Sequence, residues 1–215
     1  HSELKRLQSQ INPHFLYNSF FVLSRLIYSQ DIEKASRFSG FLSRYYQFIT
    51  RDAADQIRLG EEAEHARTYT EIQTICYSGL IKVDFGDIPE GFGDREVPRL
   101  ILQPVIENSY KHGFENKIQG ARLQVRFQGE NKECGKPALL VLSVEDNGEE
   151  ISDDKILELQ QRMEAEDMDV AETTGLYNVH RRIRLKYGSD SGIRVGRSSL
   201  GGMKVEIVIR FSAES

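Results

Sequence analysis

The stretch Gln10-Ile11-Asn12-Pro13-His14-Phe15-Leu16-Tyr17-Asn18 sets a proline directly before a histidine inside an apolar, helical pattern. A neutral imidazole is one of the few side-chain nucleophiles available near pH 7. Pro13 cannot donate to the Ser9 carbonyl, and its ring crowds that group. A kink or local opening is therefore expected, one that can turn His14 outward. Taken alone, a histidine on a helix equally describes a surface or half-buried residue.

Leu102-Gln103-Pro104-Val105-Ile106-Glu107-Asn108-Ser109-Tyr110-Lys111-His112-Gly113 carries a second set of groups. On a helix, Pro104, Asn108, Lys111 and His112 share a face through i+3 and i+4 steps. The Asn108 amide oxygen is a hard ligand of the kind Mg²⁺ accepts when it keeps several waters. Lys111 and His112 can offset phosphate charge. Glu107, one step round, can polarise a nucleophile or a water. The same residues also describe a solvated helix end with an ordinary Glu107–Lys111 pair.

Two further stretches fit a nucleotide. Glu145-Asp146-Asn147-Gly148 follows an apolar run. An aspartate at a strand end can accept a hydrogen bond from an adenine amino group, and Gly148 allows close backbone approach. Asp-Asn-Gly is also a plain turn. Thr173-Thr174-Gly175-Leu176-Tyr177-Asn178 opens a helix whose free N–H groups make a phosphate site. The charges that follow, Arg181, Arg182, Arg184 and Lys186, either face the nucleotide or simply solvate the helix and complement its C-terminal dipole.

These groups need a frame. The first third reads as helical: Leu4, Leu7 and Ile11, then Leu23, Leu26 and Ile27, recur at helical spacing. Asp31 is the expected cap of a second helix with an apolar stripe of Ile32, Ala35, Phe38, Leu42, Tyr45 and Ile49. A third helix follows Gly60, with Ala66, Tyr69, Ile72 and Cys76 inward and Gly79 as its stop. Beyond Gly79 the period changes. Ile81, Val83 and Phe85 alternate, a helix is expected from Val97 to His112, and Leu123, Val125 and Phe127 alternate again. Ala138 to Leu142 suits a central strand buried on both faces. A short helix is expected over Ile156–Met163, and another through Leu176, Val179 and Ile183 to Gly188. Strands at Ile193–Val195 and Met203–Phe211 close the chain. The expected organisation is α+β, with a helical region over 1–79 and an α/β region over 80–215. An antiparallel helix pair with apolar stripes buries itself poorly alone, and a four-helix bundle made by two chains solves that.

The 215 residues suit one large domain or two small ones. Hydrophobic residues, at 39%, suffice for a core, which excludes a disordered tail. A net charge of −5 and the lack of a fitting motif argue against direct nucleic-acid binding. Cys76 and Cys134 lie far apart and outside any metal-like spacing, so a reducing compartment is expected. No apolar run approaches the ~20 residues needed to span a bilayer, so no membrane contact is expected of this stretch.

In this order the four stretches resemble the sensor histidine kinases of the autolysin-sensor (LytS-like) type. The segment around His14 resembles their phosphoacceptor box. Glu107-Asn108 through Lys111-His112-Gly113 resembles the N box, Asp146-Asn147-Gly148 the first glycine box, and Gly175-Leu176-Tyr177-Asn178-Val179 the second. Leu185 to Gly188 and Gly201-Gly202 resemble the tail of that GHKL-type ATPase domain. The resemblance covers nearly the whole chain. It implies a dimerising helical hairpin followed by a Bergerat-type α/β sandwich that binds ATP with Mg²⁺. His14 is then the phosphorylated residue, Asn108 holds Mg²⁺, and Asp146 reads adenine. Lys111, His112, Gly148, Gly175 and Leu176 line the nucleotide, and Glu107 is the candidate base. The implied partners are a second copy of the chain and the receiver domain of a response regulator. The implied setting is the cytoplasmic part of a membrane-anchored bacterial sensor.

The sequence departs from the family pattern in three places. Glu150 stands where a second glycine is usual, Thr173 replaces the first glycine of Gly-x-Gly-Leu, and Met203 replaces the threonine after Gly202. Added Cβ atoms restrict the backbone and Glu150 can repel a triphosphate, so weaker ATP binding is expected. The alternative is a dimeric signalling module without catalysis. A chaperone-like or mismatch-repair-like ATPase would have no use for the His14 box.

Overall fold

The computed structural model describes residues 12–51, 55–116, 118–131, 137–164 and 175–211. The expectations for Leu4, Leu7, Ile11, the Ser9 carbonyl, Cys134 and Thr173 fall outside them.

The chain begins with an antiparallel hairpin of α1 (Pro13–Tyr28) and α2 (Ile32–Thr50). Asn12 is extended, as a residue before proline prefers, so an α-helix cannot run unbroken through it into α1. Asp31 caps α2 by accepting the Lys34 N–H at 3.2 Å. Ala35, Phe38, Leu42, Tyr45 and Ile49 are buried as the stripe predicts, but Ile32 is exposed. α1 is apolar on two sides. Val22 and Leu26 face inward, whereas Tyr17, Phe20, Phe21, Ile27 and Tyr28 lie on the surface, Tyr28 at 93% exposure.

α3 (Leu59–Cys76) follows a short strand β1 (Gln56–Arg58), which pairs antiparallel with β3 (Glu96–Pro98). It ends in a Schellman turn: the Gly79 N–H reaches the Thr74 carbonyl at 2.8 Å, with Gly79 at φ +75°. Between β1 and β3 lies β2 (Lys82–Phe85). The helix expected from Val97 starts later. α4 runs over Leu102–Asn108 and continues as one π-helical turn over Ser109–Gly113. Val97 precedes Pro98, which biases it to extended backbone, and it pairs with Ile57 instead.

The remaining elements are β4 (Arg122–Asn131), β5 (Pro137–Asp146), α5 (Asp153–Glu164), α6 (Gly175–Tyr187), β6 (Gly192–Arg197) and β7 (Met203–Arg210). The five-stranded sheet has the order β2-β4-β5-β7-β6, with only the β2–β4 pair parallel. β5 is central, but not buried on both faces. Leu140, Leu142 and Val144 point into the core, while Leu139 and Val141 stay half-buried. Helices α3, α4, α5 and α6 pack near the sheet's strands, giving an α+β sandwich. The core is continuous from Val22 and Leu26 in the hairpin, through Ile72 and Ile106, to Ile207 in the sheet. No helix among the described residues is long and apolar enough to cross a membrane.

Candidate functional site

Asp146, the last residue of β5, is 1% exposed. Its Oδ2 accepts from the Ser109 hydroxyl at 2.8 Å. Its Oδ1 accepts the Gly148 N–H at 3.0 Å and the Met203 N–H at 3.2 Å. A carboxylate offers about four lone-pair directions, so one on Oδ2 is left for a ligand donor. Three glycines wall this group. A Cβ on Gly148 would fall inside 3.0 Å of the Gly113 backbone, and one on Gly202 inside 3.0 Å of Asp146 itself. A Cβ on Gly113 would press on the Asp146 carboxylate from about the same distance. The close approach expected at Gly148 is therefore made to Gly113, whose carbonyl accepts the Glu149 N–H. Asn147 is structural: its amide takes the Arg122 N–H at 2.6 Å and donates to the Gly120 carbonyl at 2.9 Å.

The π turn joins this aspartate to the second motif. Ser109 and Gly113, its two ends, both touch Asp146. Such turns often mark functional sites in helices. Asn108, at the junction, is half-exposed, and no hydrogen bond ties its amide to another described residue. Lys111 and His112 are exposed. Lys111 faces Glu107 at 3.4 Å, the ordinary pair that the spacing allowed. Such an exposed pair contributes little to stability.

Glu107 belongs to a network that sequence reasoning missed. Gln103, one turn earlier, donates to Glu107 Oε1 at 2.8 Å and to the Tyr45 hydroxyl at 3.0 Å. Its Oε1 lies 2.6 Å from His65 Nε2. His65 is stacked against Phe48 at 3.8 Å and Tyr45 at 5.2 Å. Burial pushes the His65 ring down to about 4, with the Gln103 bond pulling it back up and the Arg99 charge pulling it further down. Between its ordinary 6.5 and about 4, the unfolded chain carries this proton and the folded chain does not. Stability must therefore drop as pH falls through that window, by roughly 3 kcal/mol in all. Urea melts at several pH values check this. The loss should flatten in His65→Phe, and an equal slope in the variant would rule His65 out as its source.

His14 lies in the first turn of α1 and is exposed. Asn12 Oδ1 caps that turn by accepting the backbone N–H groups of His14 at 3.1 Å and Phe15 at 3.3 Å. The Asn18 amide stands 3.4 and 3.5 Å from the two ring nitrogens, too evenly shared to fix a tautomer. Phe15 turns inward, 4.9 Å from the Tyr45 ring and 5.6 Å from the Tyr69 ring. Tyr69 in turn meets Tyr110 of the π turn at 6.1 Å.

α6 begins at Gly175, and a Cβ there would lie 3.3 Å from Pro104, one turn before Asn108. The helix start thus abuts the face of α4 that bears Asn108. Leu176 is buried in the core rather than lining an open site. Two of the later charges are structural. Arg182 donates to the Arg99 carbonyl at 2.6 Å, and Arg184 pairs with Glu164 at 2.5 Å. The buried Glu62 carboxylate accepts the N–H groups of Leu100, Ile101 and Leu102, satisfying the start of α4. Burial pushes its pKa up, against the pull of those donors and of Arg182. Glu150 is paired with Arg197 at 2.9 Å, so its charge is offset within the protein.

The arrangement fits a magnesium nucleotide. It offers a lone pair on a buried carboxylate, an amide at Asn108 bonded to no other described residue, and a helix start against Pro104. No cluster of three or more His, Cys, Asp or Glu gathers among the described residues. A cation held through Asn108 would take its other ligands from phosphate oxygens and water.

A family model described as "Histidine kinase" matches residues 2–80. The Escherichia coli sensor histidine kinase BtsS is 28% identical over 90% of this chain and 31% of its own length. The Enterococcus faecalis sensor protein LytS is 28% identical over 99% of this chain and 35% of its own. The Bacillus subtilis sensor histidine kinase YesM is 30% identical over 97% of this chain and 33% of its own. Among solved structures, the catalytic domain of histidine kinase ThkA matches with a TM-score of 0.50 at 14% identity, covering 72% of this chain and 94% of that one. The ATP binding domain of PrrB from Mycobacterium tuberculosis gives 0.50 at 16% identity, covering 74% of this chain and all of that one. These two establish the fold. The chain spans about a third of the length of the curated relatives it matches. Over nearly its whole length the chain is thus similar to sensor histidine kinases, the LytS sensor proteins among them.

Proposed function

We propose that this chain is the catalytic part of a two-component sensor histidine kinase, which moves the γ-phosphoryl group of Mg-ATP onto His14 and passes it to an aspartate of a response-regulator receiver domain. The observation that carries the reading is the chain of contacts that runs from α1 through Tyr45 of α2 to α4. An exposed His14 follows a proline break, and its neighbour Phe15 is seated on Tyr45, whose hydroxyl shares Gln103 with Glu107.

The unprotonated ring nitrogen of His14 attacks phosphorus. An N–P bond forms, the bond from phosphorus to the ADP oxygen breaks, and ADP leaves. Glu107 takes the ring proton released as the phosphoimidazole forms. Magnesium, when bound, spreads the charge of the phosphates. The chain supplies positioning and electrostatics, which dominate phosphoryl transfer. Asp146 accepts the adenine amino group through its free lone pair. Asn108 offers its amide oxygen to the cation, and Lys111, His112 and the first N–H groups of α6 at Gly175 face the phosphates.

A second copy of the chain supports the hairpin. Tyr17, Phe20, Phe21, Ile27 and Tyr28 form an exposed apolar face on α1, and a homodimeric four-helix bundle covers it. The full-length parent is a membrane-anchored sensor, with this part in the cytoplasm.

The test is incubation with γ-labelled ATP and Mg²⁺, scored for acid-labile label. Asn108→Asp adds a charge facing the phosphates and should reduce labelling by roughly 100-fold while weakening Mg-ATP binding. Unchanged labelling and affinity would remove Asn108 from the site.

A further inference from the structure

Gln103 is 7% exposed and commits every polar atom of its amide. An amide oxygen cannot donate, so the 2.6 Å contact with His65 requires the proton on His65 Nε2. The Glu107 carboxylate, which can only accept, fixes the flip of the amide. Oxygen must face His65, and both N–H bonds must face the other way. One meets the Tyr45 hydroxyl and the other meets Glu107 Oε1. A flipped amide would set its oxygen against a carboxylate. It would also move the His65 proton to Nδ1, which is buried with no hydrogen-bond partner among the described residues. Glu107 Oε2 faces Lys111, so the carboxylate is held from both sides and stays only partly exposed.

The same amide reaches across three elements. Gln103 and Glu107 are on α4, His65 on α3, and Tyr45 on α2. Phe15, beside His14, rests on Tyr45. We propose that Gln103 is the positioning residue of the proton acceptor, holding Glu107 in one rotamer and registering it against the aromatic seat that carries the phosphoacceptor helix. Gln103 touches neither nucleotide nor His14. Its effect passes through Glu107, and the inference therefore rests on the role given to Glu107 above.

The test is a double-mutant cycle on the rate of His14 labelling at saturating Mg-ATP, with ATP affinity measured separately. Gln103→Met keeps the volume and removes both donors. It should slow labelling on the order of 10- to 100-fold, as a misplaced catalytic group does, with ATP affinity within about twofold of wild type. In a Glu107→Gln background the same change should add no further loss, because a positioning residue has nothing left to position. Gln103→Glu is the companion variant. It keeps the oxygen for His65 but opposes Glu107 with an acceptor, and the same pattern is expected if Gln103→Met folds poorly by thermal melt. An equal loss in both backgrounds would overturn the proposal, since Gln103 would then act through the fold alone. Full-speed labelling by either folded Gln103 variant would overturn it too. Glu107→Gln labelling at the wild-type rate would remove the base assignment itself. That single variant, read first, separates the two failures.

Discussion

His14→Gln yields no acid-labile label from γ-labelled ATP, while nucleotide affinity stays at the wild-type level. Glutamine is polar, helix-compatible and similar in reach, but its amide nitrogen has no free lone pair to attack phosphorus. The fold should not notice. The side chain is exposed, and Asn12 caps the turn through backbone N–H groups that the substitution keeps. The loss should therefore be complete in labelling, and the melting temperature should move by no more than a surface substitution causes, about 0.5 kcal/mol in stability terms. The chemistry of the label adds a check, because a phosphoramidate is lost in acid and kept in base. Label that survives in His14→Gln would assign the phosphoryl group to another residue.

The second large effect is at the glycines around Asp146. Gly148→Ala and Gly202→Ala each force a methyl group into space already filled by backbone or by the Asp146 carboxylate. The Gly113 backbone has no side chain to move and the Asp146 carboxylate is pinned by its hydrogen bonds, so the π turn must draw away from Gly148, and Gly202 must draw away from the end of β5. Overpacking of this kind costs about 1–3 kcal/mol, and loss of the buried Asp146 hydrogen bonds adds to it. ATP affinity, measured by calorimetry, should fall at least roughly 100-fold, since a site displaced at its floor loses about 3 kcal/mol of binding. Gly40→Ala is the control. It lies in α2 with nothing within 4 Å of its added Cβ. It should leave affinity unchanged and stabilise the helix by about 0.8 kcal/mol. Wild-type affinity and melting in Gly148→Ala would mean that the tight floor is not needed.

Much of the fold was legible because its signals are local. The stripe from Ala35 to Ile49 and the alternation from Met203 to Ile209 need no knowledge of a partner. The miss at Val97 had a readable cause, since Pro98 biases the preceding residue against helix. The motif residues were legible as a set, yet their partners were not. Nothing in the sequence says that Ser109 bonds Asp146, 37 residues away, or that Gln103 spans His65, Tyr45 and Glu107. A buried polar bond depends on which elements meet, and spacing along the chain does not carry that information. Glu150 shows the same limit: its neutralisation by Arg197 depends on β6 lying beside the start of α5.

The end of α2 has a mechanical reading. Its last carbonyls, at Phe48 and Arg51, are grasped by the Arg99 guanidinium, and the Arg99 carbonyl is held in turn by Arg182 of α6. At the other end, Tyr28 through Asp31 form an exposed tip. The hairpin is thus fixed at the end where the phosphoacceptor helix begins, and α3 braces its length through the buried Val22, Leu26 and Phe38 and the Arg37–Glu71 ion pair. It is a braced beam about 28 Å long, the length of 19 residues of helix. A push on its exposed tip is carried along the helices as a shift of the whole beam, toward the end where His14 sits.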